Sequence, residues 1–153
     1  SMAKAWHLVS RPAGLPDHSN FALRDLPDGP LSDGQLRVRN TWLSVDPYMR
    51  GRMNDAKSYA ASFQLDEPMT GGAIGEVVES RLDGFAPGDL IQHMGGWRDG
   101  GIIGLDMMPN KLPQQLLDLG ISPQSFLHNL GLTGGTAWIG LHRVAQAKQG
   151  ETV

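Results

Sequence analysis

Cysteine is absent from the 153 residues, which removes disulfides, thiol catalysis and cysteine-ligated zinc. A basic excess is lacking too: 13 Lys and Arg stand against 16 Asp and Glu, for a net charge of −3. Without surplus cations to neutralise phosphates, nucleic acid is a poor partner. No apolar run approaches the roughly 18 residues that cross a bilayer. The opening Ser1-Met2-Ala3-Lys4 carries no signal-peptide stretch, so the expected location is cytoplasmic, with no membrane partner. Common catalytic signatures are missing as well. His7, His18, His93, His128 and His142 never fall three or four residues apart, so metal-ligand spacing is absent. There is no Gly-x-Ser-x-Gly elbow and no phosphate-cradling Gly-x-x-x-x-Gly-Lys.

Turn chemistry is what the chain has in abundance. Its 20 Gly and 10 Pro make 30 of 153 positions, about a fifth, where average composition gives about an eighth. Such punctuation disfavours a helical bundle and favours short strands joined by turns. With 40% hydrophobic residues the chain can bury one ordinary core. Strands are predicted over 5–9, 21–26, 36–41, 75–79 and 89–93, with period-two alternation clearest where Leu36, Val38 and Asn40 oppose Arg37, Arg39 and Thr41. Pro87-Gly88 suits the centre of a type II turn. Five or six such strands suggest a small barrel or sandwich.

The last forty residues change character. A short helix is predicted over 113–119, stopped by Gly120, and another turn from Ser122-Pro123. One long helix is predicted from about Gly135 to Gln149, with Trp138, Leu141, Val144 and Ala145 on one stripe and Gly150 as its stop. Glu151-Thr152-Val153 then reads as the beginning of a strand.

Two segments invite chemistry. In Ser44-Val45-Asp46-Pro47-Tyr48-Met49-Arg50-Gly51-Arg52-Met53, Asp-Pro forces the chain from a strand into a turn that presents Tyr48 and Met49 from a rigid loop. A protonated tyrosine can donate a hydrogen bond to a substrate carbonyl, or simply pack on a barrel rim. Arg50 and Arg52 can meet an anion, or stand as a solvated pair. In Gly131-Leu132-Thr133-Gly134-Gly135-Thr136, small residues and two hydroxyls open the long helix. That suits either a polar ligand at free N–H groups or plain capping by Thr133 with close glycine packing.

These segments resemble the N-terminal catalytic part of the zinc-independent medium-chain dehydrogenases/reductases, in the branch of prostaglandin, 2-alkenal and NADPH-dependent curcumin reductases. The resemblance rests on Trp6-His7-Leu8 with Arg11-Pro12, Leu43 to Met53, Gly71-Gly72, Gly88-Asp89, Gly95-Gly96-Trp97, the Gly131–Leu141 stretch and Gly150-Glu151-Thr152-Val153. It implies a mainly β fold, a GroES-like partly open barrel with short helices, as a catalytic domain over 1–130. Residues 131–153 would then be a connecting helix and the start of a Rossmann domain outside this sequence. Where zinc-dependent relatives carry a Cys and a Gly-His-Glu, this chain has Asp46 and Gly71-Gly72-Ala73. The resemblance thus implies catalysis without a metal.

The implied reaction is NADPH-dependent reduction of the C=C bond of an α,β-unsaturated aldehyde or ketone. Tyr48 would be catalytic and, with Met49, substrate-binding; Thr136 and Thr133 would contact NADP(H), bound mostly by the domain outside this sequence. The family's usual Met-Pro-Gly-Leu/Phe-Thr-Ala-Tyr is Leu132-Thr133-Gly134-Gly135-Thr136-Ala137-Trp138 here, without the proline. The full-length protein is expected to be a homodimer. The rival readings are a quinone oxidoreductase on the same scaffold and a free-standing GroES-like binding module.

Overall fold

A computed structural model describes residues 2–57, 60–128 and 130–152; the side chains of Leu132 and Thr133 also lie outside the described residues. The chain divides into two compact units, Ser1–Lys111 and Leu112–Val153.

The first unit is β-rich. Strands β1 (Lys4–Leu8) and β2 (Phe21–Asp25) pair antiparallel, with Trp6 opposite Leu23. Strands β3 (Leu36–Leu43), β4 (Ala73–Ser80), β5 (Leu90–His93), β6 (Gly100–Ile103) and β7 (Asn110–Lys111) form a five-stranded sheet in the order β6-β3-β4-β5-β7. Every pairing within it is antiparallel. Alternation drives Leu36, Val38, Val77, Ile91 and Ile103 to one buried cluster, each contributing about 1.5–3 kcal/mol by leaving water. A second cluster holds Leu8, Met49, Met53, Phe63 and Met69. Single bridges, Ala5 to Arg98 and His7 to Pro68, tie β1 to segments beside the larger sheet. Two sheets joined by single bridges, with no continuous ladder between them among the described residues, agree with the expected mainly β, partly open barrel. Gly88 turns between β4 and β5 at φ +93°, as the Pro-Gly turn requires.

Seven strands are present among the described residues, two more than the five placed from the sequence. In β6 the pattern is silent because Gly100 and Gly101 carry no side chains. The register explains the first of them: a Cβ on Gly100 would strike the carbonyl oxygen of Val38 on β3. The turn expected at Asp46-Pro47 leads directly into a short helix, α1 (Tyr48–Arg52), with Pro47 already at φ −56° and ψ −33°. Proline's fixed φ is preset for a helix start.

The second unit is helical. Helix α2 (Gln114–Asp118) ends before Gly120 at φ +83°, as expected, and Pro123–Leu127 forms a 3-10 turn after Ser122. The long helix differs from its predicted bounds. Helix α3 (Leu132–Ile139) begins three residues earlier and continues as a π-helical turn over Gly140–Val144. It stops short of Gln149 because Gln146 adopts φ +50°, which breaks the right-handed spiral before Gly150, at φ +95°, is reached. Gly131 is the N-cap, so the backbone places Thr133 inside the first turn and not at the cap. Of the predicted stripe, Trp138 and Val144 are exposed. Glu151 and Thr152 form no strand, since a strand needs a ladder partner and none is paired to them among the described residues; Val153 lies outside those residues.

Candidate active site

The segment from Ser44 to Met53 is fastened by its own polar atoms. Ser44 N donates to Gly72 O (2.8 Å) and Ser44 Oγ to Asp46 Oδ2 (2.7 Å). Asp46 N donates to Met49 Sδ (3.4 Å), and Met49 N to Asp46 O (3.0 Å). Neighbouring residues on a helix point about 100° apart, so Tyr48 and Met49 part company. Tyr48 is 38% exposed, whereas Met49 is 2% exposed and packs in the core with Leu8, Met53, Phe63 and Met69. The expectation that both face a ligand from one loop therefore divides: α1 offers Tyr48 outward and turns Met49 inward.

Arg50 and Arg52 are neither a solvated pair nor a waiting anion site. Arg50 donates from Nε to Gly14 O (2.9 Å), from Nη2 to Pro12 O (3.0 Å) and from Nη1 to Asn54 Oδ1 (2.7 Å). Arg52 donates from Nε to Ala61 O (2.7 Å) and lays its guanidinium 4.2 Å over the Phe63 ring. Both cations act as clamps between α1 and the loops around it.

The glycine pairs make a backbone contact beneath this segment. Gly71 N donates to Met94 O (3.1 Å) and Gly96 N to Gly71 O (2.9 Å). A Cβ on Gly96 would lie 2.7 Å from Gly71 O, so only glycine permits the approach. A Cβ on Gly71 would lie 2.5 Å from Met49 Cε and 3.7 Å from Trp97 Nε1. Trp97 is the residue that sequence reasoning missed as an individual. Its backbone sits at φ +58°, an outlier for a bulky side chain. Its ring stacks on Phe21 (6.4 Å between centroids, 10° between planes), and its buried Nε1 has no hydrogen-bond partner among the described residues. Following two glycines was the one available signal.

Behind Trp97 lies a closed polar network. His93 Nδ1 accepts from Gly95 N (3.0 Å), which leaves the proton on Nε2, donated to Asn40 Oδ1 (2.7 Å). Asn40 Nδ2 in turn donates to Gly95 O (3.1 Å) and Arg98 O (3.0 Å). Burial, with the Arg98 charge adding to it, pushes the His93 imidazole down to about 4; the ring is neutral at physiological pH. Among the described residues no three His, Asp or Glu side chains gather as a metal site.

Two hollows flank the Trp6 and Trp97 rings. One of about 370 Å³ includes Leu23, Thr41 and Leu43; the other, about 490 Å³, includes Pro16, His18 and Phe21. Tyr48 lines neither. In the second unit, Thr136 is exposed on α3. A hollow of about 480 Å³ on α3 is lined by Leu130, Gly131, Gly134, Gly135, Trp138 and Ile139, without Thr136. No helix among the described residues is long and apolar enough to cross a membrane.

Residues 4–108 match the family described as the N-terminal domain of oxidoreductase. Over 153 residues, 98% of the chain and 42% of the relative, the sequence is 38% identical to NADPH-dependent curcumin reductase from Escherichia coli. It is 34% identical to 2-alkenal reductase (NADP(+)-dependent) from Nicotiana tabacum, over 92% of the chain and 41% of the relative. The solved structure of CurA in complex with NADPH from Vibrio vulnificus superposes with a TM-score of 0.82 at 37% identity, covering 97% of this chain and 42% of that one. The chain thus spans about two fifths of the length of the relatives it matches. With more than half of its residues inside the family match, and the fold of its first unit in agreement, the chain belongs to the family of oxidoreductase N-terminal domains.

Proposed function

We propose that this chain is the catalytic-domain part of an NADPH-dependent reductase of α,β-unsaturated aldehydes and ketones. The observation that carries the reading is similarity along nearly the whole chain to reductases named for NADPH and for curcumin or 2-alkenals. NADPH, when bound, supplies the hydride for the β-carbon of the enone. The part left to this chain is to orient the substrate and stabilise negative charge growing on its oxygen.

Tyr48 suits that part. It is half-exposed at the start of a helix held by the Ser44–Asp46 contacts and the Arg50 clamp, and a phenol O–H can donate to a carbonyl oxygen. Met49 belongs to the same proposal, as the soft wall behind Tyr48. Thr136 and Thr133 would hold the nicotinamide end of the cofactor. What supports that part is the exposure of Thr136 on α3. The assignment of 1–130 as catalytic domain, zinc-independence, cytoplasmic location and a homodimeric full-length protein are parts of the same proposal.

The test is NADPH oxidation by the full-length protein, followed at fixed cofactor with 2-alkenals, cyclic enones and quinones in turn. The reading predicts the highest kcat/KM for an enal or enone. Turnover of quinones alone would establish the quinone reductase instead, and no turnover of either would favour a binding module.

A further inference from the structure

Trp97 carries two separate costs that the fold does not require of an aromatic residue. A bulky side chain at φ +58° is strained. A buried donor with no acceptor among the described residues forfeits the hydrogen bond it would make in water. Glycine at this position would relieve the first and phenylalanine the second, while a phenyl ring would keep the stack on Phe21. The two penalties fall on one side chain whose Nε1 faces the backbone beneath α1, beside the point where a Cβ on Gly71 would be. Unpaired donors and strained backbone collect where a site is preorganised for something that arrives from outside.

The cover over this donor is soft. The same point beside Gly71 is 2.5 Å from Met49 Cε, the free end of an unbranched thioether, the side chain best able to repack at small cost. That point is filled by the Met49 methyl group, so an incoming atom reaches the indole N–H only where Met49 moves aside.

We infer that Trp97 is a second hydrogen-bond donor of the substrate site, its indole N–H held unpaired for the carbonyl oxygen of the ligand, with Met49 as the side chain that yields to admit it. The identity of that ligand as an enone rests on the function proposed above. This neutral donor would gain strength as the carbonyl becomes an enolate, which is the condition for lowering a barrier and not merely for binding.

The experiment compares full-length wild type with Trp97→Phe, which keeps the ring and removes only the donor. The expected result is a fall in kcat with an enone of about 10–100-fold, a change in KM of less than about threefold, and an unchanged or raised melting temperature. Alongside, 15N-indole NMR of the wild type, with the Trp97 signal assigned by its loss in W97F, is expected to show a downfield proton shift. The ligand added is cyclohexenone, without NADPH. W97F turnover within twofold of wild type, or an indole signal unmoved at saturating cyclohexenone, overturns the inference. Should W97F melt lower, the indole shift alone decides. If the wild type reduces no enone, the reaction assignment fails, whereas the donor role still stands or falls by the indole signal.

Discussion

Asn40 on β3 reaches His93 on β5 across an intervening strand, Oδ1 to Nε2 at 2.7 Å. Gly75 on β4 makes the crossing possible: a Cβ there would lie 2.7 Å from Asn40 Oδ1 and 2.9 Å from Arg39 O. Gly75→Ala therefore pushes the amide off its path and strands buried polar groups. An unpaired buried group costs about 1–3 kcal/mol, more than the few tenths to 1 kcal/mol that Ala gains over Gly in a strand. Urea unfolding is expected to show G75A less stable than wild type by about 2 kcal/mol. Asn40→Ala should cost more, since it orphans Gly95 O, Arg98 O and the imidazole N–H together.

The same network fixes a pH dependence. His93 titrates near 4 in the folded chain and near 6.5 when unfolded. Between those values the unfolded chain binds the extra proton, so stability is full above about pH 6.5 and declines as pH falls toward 4. The loss from this group reaches about 3 kcal/mol at the acid end. NMR titration is the direct check: the His93 ring signals are expected to hold still from pH 8 to pH 5.5.

Two glycines in contact should respond unequally to the same change. Gly96→Ala drives a methyl against the Gly71 carbonyl, which cannot move without the backbone. Gly71→Ala meets only the end of Met49. Overpacking costs about 1–3 kcal/mol, and G96A is expected at or above the top of that range, with G71A near the bottom. Thermal melts of the two variants side by side give the order; the reverse order would mean that Met49 is the more rigid neighbour.

Tyr48→Phe tests the reaction assignment without touching the core, because the side chain is half-exposed. With the full-length protein the expected result is a loss of about 10–100-fold in kcat/KM for enones, with the melting point within about 2 °C of wild type. Equal turnover by both proteins would remove Tyr48 from the catalytic machinery.

What the residues announce in advance follows from how far each signal reaches. Strands such as Leu36–Leu43 advertise themselves through neighbours two apart, and the Pro87-Gly88 turn through its own backbone demands. Strand Gly100–Ile103 does not, because its glycine is dictated by a carbonyl on β3, more than sixty positions away. The Asp-Pro signal before Tyr48 is legible, yet the inward turn of Met49 depends on the core it meets. The arginines of α1 read as loose charges until the carbonyls of Pro12, Gly14 and Ala61 are in place. Nothing local distinguishes Trp97 from any aromatic after two glycines; its conformation is set by the approach of Gly96 to Gly71.

The single bridge from Ala5 to Arg98 has a consequence for synthesis. Lys4 N also donates to Asp99 Oδ1 (2.8 Å) and Trp6 N to Trp97 O (2.8 Å), so β1 waits for some partners more than ninety residues downstream. At ribosomal rates of about 5–20 residues per second, that interval is roughly 5–20 s. Within it, β1 first gains β2, and then Leu8 its core partners Met49, Met53, Phe63 and Met69. Strand β1 is thus secured in stages, and its contacts with 97–99 are the last of them.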